Sequence, residues 1–240
     1  MIATFCLRLA LGMLGALPLL SPKQMHPRFF RTHFLTALGL CIVAAIMAPD
    51  GSVRWLIILA AVATFAGAVV WNFEKPTLGW IVLAISIVAL IASVGYADWA
   101  RTSRLVDNLT AAGLLGFAIA ATLVGHSYLI SPALTIRPLM HQLAALGVAL
   151  LLRMGVAGTA LWFWTADHDL TNLNDETVLW LPVRWGIGLL GPLVFGWLAY
   201  RTAKIRSTQS ATGILYVVVI LAFLGELTSL LLLRDTGLPL

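Results

Sequence analysis

GHSYLISPALTIRPLMHQLAALGVALLLR, residues 125–153, sets two histidines and two arginines around a proline-marked turn between apolar runs. This pattern is typical of the tip and rising arm of a transmembrane helical hairpin, because the bilayer core excludes lipid-exposed irregular backbone. Apolar runs separated by short polar segments recur along the rest of the chain. The stretch therefore indicates the fold class and supplies the first candidates for chemistry.

The composition excludes an ordinary soluble domain. The chain has 240 residues, of which 60% are hydrophobic and only 10% are charged, whereas soluble domains have roughly 25% charged residues. The net charge of +5 would suggest nucleic acid in a soluble protein, but here the basic residues lie in short turns, where they bias membrane orientation. We expect the lipid bilayer as the surroundings and no nucleic-acid partner. Cys6 and Cys41 lie in apolar runs and are expected to be buried thiols.

Eight apolar stretches are long enough to cross a bilayer core of about 30 Å, which takes about 20 helical residues. We predict an all-α integral-membrane bundle of eight transmembrane helices that forms a single polytopic domain over residues 1–240. The first stretch carries Arg8 inside its apolar run and lacks the basic start of a signal peptide, so we retain it as a span. The predicted spans lie at about 2–20, 33–48, 53–71, 77–96, 109–130, 138–164, 181–200 and 212–233.

Two local patterns predict how the spans are shaped and packed. The seventh span reads GIGLLGPLVFG around Pro192, and this proline predicts a kink because it removes a backbone hydrogen bond. Small residues that recur four apart let helices approach closely. The third and fifth spans carry such residues at Ala60, Thr64 and Ala68, and at Ala112, Gly116 and Ala120.

The distribution of basic residues predicts the orientation. Lysine and arginine favour the turns after the first, third, fifth and seventh spans over the opposite turns, by eight to five; the opposite turns are predicted to include Arg184 and the acidic Asp107. The positive-inside rule then places the richer turns in the cytoplasm and both termini on the external, periplasmic side. Tryptophan and tyrosine residues gather at both sets of span ends, as in the aromatic belts of membrane proteins.

Three charged residues stand out inside the predicted spans: Arg8, Arg153 and Glu226. Counted from the cytoplasmic ends of their helices, Arg153 and Glu226 both lie about 22 Å deep and Arg8 about 18 Å. Because intramembrane charges tend to pair or line functional cavities, we predict an ion pair between Arg153 and Glu226 with Arg8 nearby. Two interpretations stay open: a structural clamp, or a pocket for a quinone headgroup, an anion or a proton.

Two histidines form a second candidate site. His126 near the end of the fifth span and His141 near the start of the sixth have depths that match to within about 2 Å. Antiparallel helices can present both imidazoles to one centre, as axial ligands of a b-type haem or as part of a metal or quinone site. The alternative is a pair of interfacial histidines that hydrogen-bond to backbone or lipid phosphate.

The remaining polar segments indicate little chemistry. The acidic segment TADHDLTNLNDE, residues 165–176, offers oxygen ligands for a divalent cation, but it lacks the spacing of a calcium loop and is expected to be a solvated cap. The chain has no glycine-rich phosphate loop, zinc-protease motif, paired-cysteine motif or serine nucleophile motif. We therefore do not expect the chain to be catalytic by itself.

In its eight spans and external termini, the pattern resembles the quinol-interacting anchor subunits of polysulfide and dimethyl sulfoxide reductases. The resemblance is one of topology alone, and no site is carried over. It implies a non-catalytic subunit of a bacterial respiratory complex in the inner membrane, binding quinone or b-type haem and docked to other subunits. Two alternatives stay open: a small-solute or ion transporter, although no inverted repeat is visible, and an assembly or scaffolding subunit.

Overall fold

The computed structural model describes residues 1–49, 51–97, 102–130, 135–167 and 175–237, and these residues contain helices and no strands. Among them, eight helical stretches are long and apolar enough to cross a membrane, which confirms the all-helical, multi-pass prediction. The helices are α1 (Ile2–Gly15), α2 (Pro27–Met47), α3 (Ser52–Asn72), α4 (Pro76–Ala97), α5 (Thr102–Ile130), α6 (Arg137–Asp167), α7 (Asp175–Pro182), α8 (Gly191–Lys204) and α9 (Thr208–Thr236).

Several helices extend beyond the predicted spans. Helix α2 begins at Pro27, where the side chain of His26 accepts a hydrogen bond from the backbone N–H of Arg28 at 3.2 Å. Helix α5 begins at Thr102, seven residues before the predicted start. Both extensions are polar, so hydropathy identifies the apolar part of each helix and misses the turns that continue past it.

The chain divides into two compact units, Met1–Gly116 and Phe117–Leu240. The expectation of one polytopic domain over the whole chain stays a prediction. In the first unit, α1 packs against α2 and α4, and consecutive helices from α2 to α4 pack side by side. Gly51, directly before α3, has a φ of 123°, a conformation that glycine adopts at little steric cost.

Aromatic side chains fill one end of the first unit. Phe30 of α2 stacks on Trp71 of α3 with ring centroids 4.3 Å apart, and Trp80 of α4 meets Trp71 edge-on at 6.1 Å. Gly79 makes room for this packing, because a Cβ atom there would lie 2.6 Å from Trp71 Cε2. The three helices are therefore held together by shape-matched aromatic packing.

The second unit contains an interrupted helix. Helices α7 and α8 are joined without a loop by a π-helical segment, Val183–Leu190, which lies between Pro182 and Pro192. The sequence predicts a kink at Pro192, and the structure has a π-helical irregularity in the eight residues before α8, on the N-terminal side of that proline. Proline lacks an N–H and disfavours the regular pattern of α-helical hydrogen bonds on its N-terminal side. Helix α9 packs against this segment and against α8, and α8 also packs against α6.

Candidate functional site

The strongest candidate site is a buried ion pair between α6 and α9. Arg153 donates from Nε to Glu226 Oε1 at 2.8 Å and from Nη2 to Glu226 Oε2 at 3.0 Å. Both side chains are fully buried, and the paired bonds give the bidentate geometry of a strong arginine–carboxylate interaction. The predicted pairing of Arg153 with Glu226 is confirmed.

A second arginine shares the same carboxylate. Arg184, from the π-helical segment, donates from Nη1 to Glu226 Oε1 at 3.1 Å and is also fully buried. Arg153 further donates from Nη2 to the hydroxyl of Ser229 at 3.1 Å. We refer to Arg153, Arg184, Glu226 and Ser229 as the arginine cluster.

The position of Arg184 corrects the sequence interpretation, which assigned it to an external turn. The helical stretch that contains it begins at Asp175 rather than at the predicted residue 181. Arg184 therefore lies nine residues into the stretch, about 13 Å along it at the rise of an α-helix. A charge at that depth is expected to find a partner, and it reaches Glu226.

Two glycines bring the backbones of the π-helical segment and α9 close enough for the contact between Arg184 and Glu226. A Cβ atom on Gly188 would lie 2.3 Å from the Cα of Gly225, and one on Gly225 would lie 2.4 Å from the Cα of Gly188. Any larger residue would force the two helices apart. Gly188 lies one turn after Arg184, and Gly225 directly precedes Glu226, so the close approach sets the distance between the two charges.

The first unit contains its own buried ion pair. Arg8 of α1 pairs through Nη2 with Asp107 of α5 and donates from Nε to Asn108 Oδ1 at 2.8 Å. All three side chains are buried. The sequence interpretation placed Asp107 in an external turn, and the structure corrects this because α5 begins at Thr102 and includes it.

Close packing of α1 on α5 accompanies this pair. A Cβ atom on Gly12 would lie 1.9 Å from the carbonyl oxygen of Ala112, and one on Gly116 would lie 2.0 Å from the backbone of Gly12. The predicted packing role of Ala112 and Gly116 is confirmed. Arg8 thus has a carboxylate partner within the first unit, and its placement beside Arg153 and Glu226 stays a prediction.

The two histidines of the second candidate site have exposed side chains. His126 on α5 and His141 on α6 are both exposed. Within the described ranges, no group of three or more histidine, cysteine, aspartate or glutamate side chains is arranged to hold a metal ion. Exposure gives no support to a haem pocket at His126 and His141, so haem or metal ligation there stays a prediction.

A different histidine is buried. His33 of α2 is fully buried, and its Nδ1 lies 2.9 Å from the carbonyl oxygen of Phe29. Because the bond is local to α2, it is consistent with a packing role. In the acidic segment, Glu176 is exposed, whereas residues 168–174 lie outside the described part of the chain.

Comparison with protein-family models, with curated proteins and with solved structures gives no match. The function of the chain is therefore inferred from the chemistry of its buried charges.

Proposed function

We propose that the chain is a non-catalytic integral-membrane subunit of a bacterial electron-transfer complex, and that its arginine cluster binds the headgroup of a quinone. The observation that carries the proposal is the sharing of Glu226 by Arg153 and Arg184 at 2.8 and 3.1 Å. Ionisable groups inside a membrane are rare and often mark ligand or proton pathways. π-Helical segments frequently occur at functional sites, and Arg184 lies in one.

The donor and acceptor chemistry of the cluster supports a ligand rich in acceptors. Each guanidinium group has five N–H donors and no acceptor, whereas a carboxylate offers about four lone-pair sites. Two arginines bring hydrogen-bond donors and positive charge to a single carboxylate, so the cluster is rich in donors. The carbonyl oxygens of a quinone are acceptors of the right kind, and Glu226 can exchange a proton when the quinone is reduced. Haem gains no comparable support, because His126 and His141 are exposed.

The location and orientation are part of the proposal. Eight apolar helical stretches support a multi-pass membrane protein, and the bias of basic residues, which is eight to four once the buried Arg184 is left out, supports external termini in a bacterial inner membrane. Reporter enzymes fused to either terminus test this. Activity of a periplasmic reporter at both ends is expected, and activity of a cytoplasmic reporter at either end would refute the orientation.

Gentle purification followed by chromatography of bound lipids and identification of co-purifying proteins tests the function. We expect quinone in the extract and at least one redox partner subunit. The folded fraction of Glu226→Gln and Arg184→Gln variants should carry less quinone per protein than the wild type, whereas Glu176→Gln, at an exposed carboxylate, should retain it. Folded wild-type protein with neither quinone nor a redox partner would refute the proposal.

A second candidate function is a small-solute or ion carrier. The observation that favours it is the irregular segment Val183–Leu190 between Pro182 and Pro192, because transporters often build binding sites at broken helices. Substrate-dependent flux by the isolated chain in liposomes would select this function. If cluster variants change stability but neither quinone content nor flux, the charges act as a clamp in an assembly or scaffolding subunit.

A further inference from the structure

A cavity of about 520 Å³ lies in the second unit and is lined by residues of α6 and α8. Its walls are mostly aliphatic, with contributions from Leu143, Leu146, Leu150 and Leu193. This volume falls within the range of about 300–1,000 Å³ that is usual for small-molecule sites.

Glycines keep the cavity open. Gly147 of α6 and Gly196 of α8 both line it. A Cβ atom on Gly147 would have no neighbour within 4 Å, and one on Gly196 would lie 3.8 Å from Leu150 Cδ1. Since neither glycine is needed for close helix contact, both positions have space that a larger side chain would occupy. The cavity is therefore apolar, and neither of these two positions has a side chain that fills it.

One end of the cavity is polar and basic. Lys204, the last residue of α8, and Tyr200, one turn earlier, both line it together with Trp197. Trp197 and Tyr200 stack with centroids 6.0 Å apart, and the guanidinium of Arg201 lies 5.8 Å from the Trp197 ring centroid. Because α8 ends at Lys204 and α9 begins at Thr208, this end of the cavity lies beside the turn between two apolar helical stretches, where lipid headgroups are expected in a membrane.

The stretches of sequence that form this part of the second unit carry basic residues and no acidic ones. No aspartate or glutamate occurs in residues 108–166 or in residues 177–225, the stretches that contain the cavity-lining parts of α6 and α8. Arg137 begins α6, and Arg206 lies in the turn after α8. Of these basic residues, Lys204 lines the cavity, and Arg201 lies over the ring of Trp197, which also lines it.

We propose that this cavity, a groove lined by α6 and α8, is a binding site for an anionic phospholipid. An acyl chain would lie along the leucines and glycines of α6 and α8, and the phosphate would accept hydrogen bonds from Lys204 and the hydroxyl of Tyr200. Lys204 lies eleven positions after Leu193, so the groove extends along α8 for about 16 Å. Basic pockets between transmembrane helices select acidic headgroups in this way. The site is separate from the arginine cluster and does not depend on the quinone proposal.

Native mass spectrometry of the purified full chain, with defined lipids added back, tests the site. Phosphatidylglycerol is expected to bind more tightly than phosphatidylcholine of the same acyl composition. Each basic side chain near the headgroup should contribute about a fivefold difference in affinity. A Lys204→Gln variant should therefore lose about fivefold in affinity for phosphatidylglycerol and little for phosphatidylcholine.

Two further variants separate the headgroup from the acyl chain. Gly196→Leu should fill the groove and weaken both lipids, since the nearest side-chain atoms leave room for the substitution. Arg234→Gln, at an exposed position on α9, should leave both lipids unchanged. Equal binding of both lipids by the wild-type chain, or unchanged binding in Lys204→Gln and Gly196→Leu, would overturn the proposal. Binding of inorganic phosphate without any preference between the two lipids would show a site for free anions and would also overturn the proposal.

Discussion

Arg153 binds Glu226 through two hydrogen bonds, of 2.8 Å and 3.0 Å, between fully buried side chains. The pair joins α6 to α9. Arg184 binds the same carboxylate and so connects the π-helical segment to these two helices. Removal of one partner from a buried ion pair leaves the other charge uncompensated in a medium of low polarity. The stability of the second unit should therefore depend strongly on Glu226.

The Glu226→Gln variant tests this dependence. We expect it to lose about 3–5 kcal/mol of stability, as other proteins do when one member of a buried pair is removed. Thermal unfolding in detergent measures the loss, and Glu176→Gln at an exposed position is the matched control. An unfolding temperature for Glu226→Gln equal to that of the wild type would show that the pair contributes nothing.

A double-mutant cycle on Arg8 and Asp107 tests the ion pair of the first unit. Each alanine variant should destabilise the protein. The double variant should lose less stability than the sum of the two single losses, because it leaves no buried charge unpaired. We expect a coupling energy of about 0.5–3 kcal/mol, the range for residues in direct contact. Strictly additive losses in chemical unfolding would contradict a direct interaction.

The close approach of Gly188 and Gly225 gives a paired prediction within one segment. Gly188→Ala should destabilise the protein by about 1–3 kcal/mol, as is typical of overpacking, because its new Cβ would meet the backbone of Gly225. Gly186→Ala should be tolerated, because a Cβ there has no neighbour within 4 Å. Unfolding in detergent should separate the two variants, and equal stabilities would argue against the backbone contact.

The aromatic packing of the first unit gives a fourth prediction. Trp71 is 2% exposed and stacks on Phe30, whereas Trp55 is 71% exposed. Trp71→Ala should cost about 3–5 kcal/mol, the usual loss for a buried aromatic side chain, and Trp55→Ala should cost much less. Thermal unfolding in detergent monitored by circular dichroism compares them, and similar losses would show that the stack is not a major source of stability.

The sequence predicts the helices better than their ends. Spans can be read from apolar length alone, and the pairing of Arg153 with Glu226 follows from their equal depth. The position of Asp107 is not predicted correctly, because a carboxylate beside an apolar run is indistinguishable from a loop residue until the helix start is known. Arg8 within an apolar run is the signal that indicates it, since a buried arginine needs an acceptor and Asp107 with Asn108 adjoins the fifth span.

The role of Arg184 was harder to predict for a related reason. Its depth depends on where the helix begins, and helix starts are poorly fixed by composition. Pro192 and the nearby glycines indicated an irregular helix, but a π-helical segment depends on backbone hydrogen bonds that one sequence does not specify. The contact between Gly188 and Gly225 is a tertiary feature, and residues 37 positions apart in sequence give no local sign of it.

The pairing of Arg8 with Asp107 has a consequence for biosynthesis. The two residues are 99 positions apart, so Arg8 leaves the ribosome roughly 5–20 s before its partner at a synthesis rate of about 5–20 residues per second. During that interval, α1 has no Asp107 to neutralise its charge and is poorly suited to settle in lipid. Helix α1 therefore gains its carboxylate partner only after α5 has been made, and the contact between them forms late in the synthesis of the first unit.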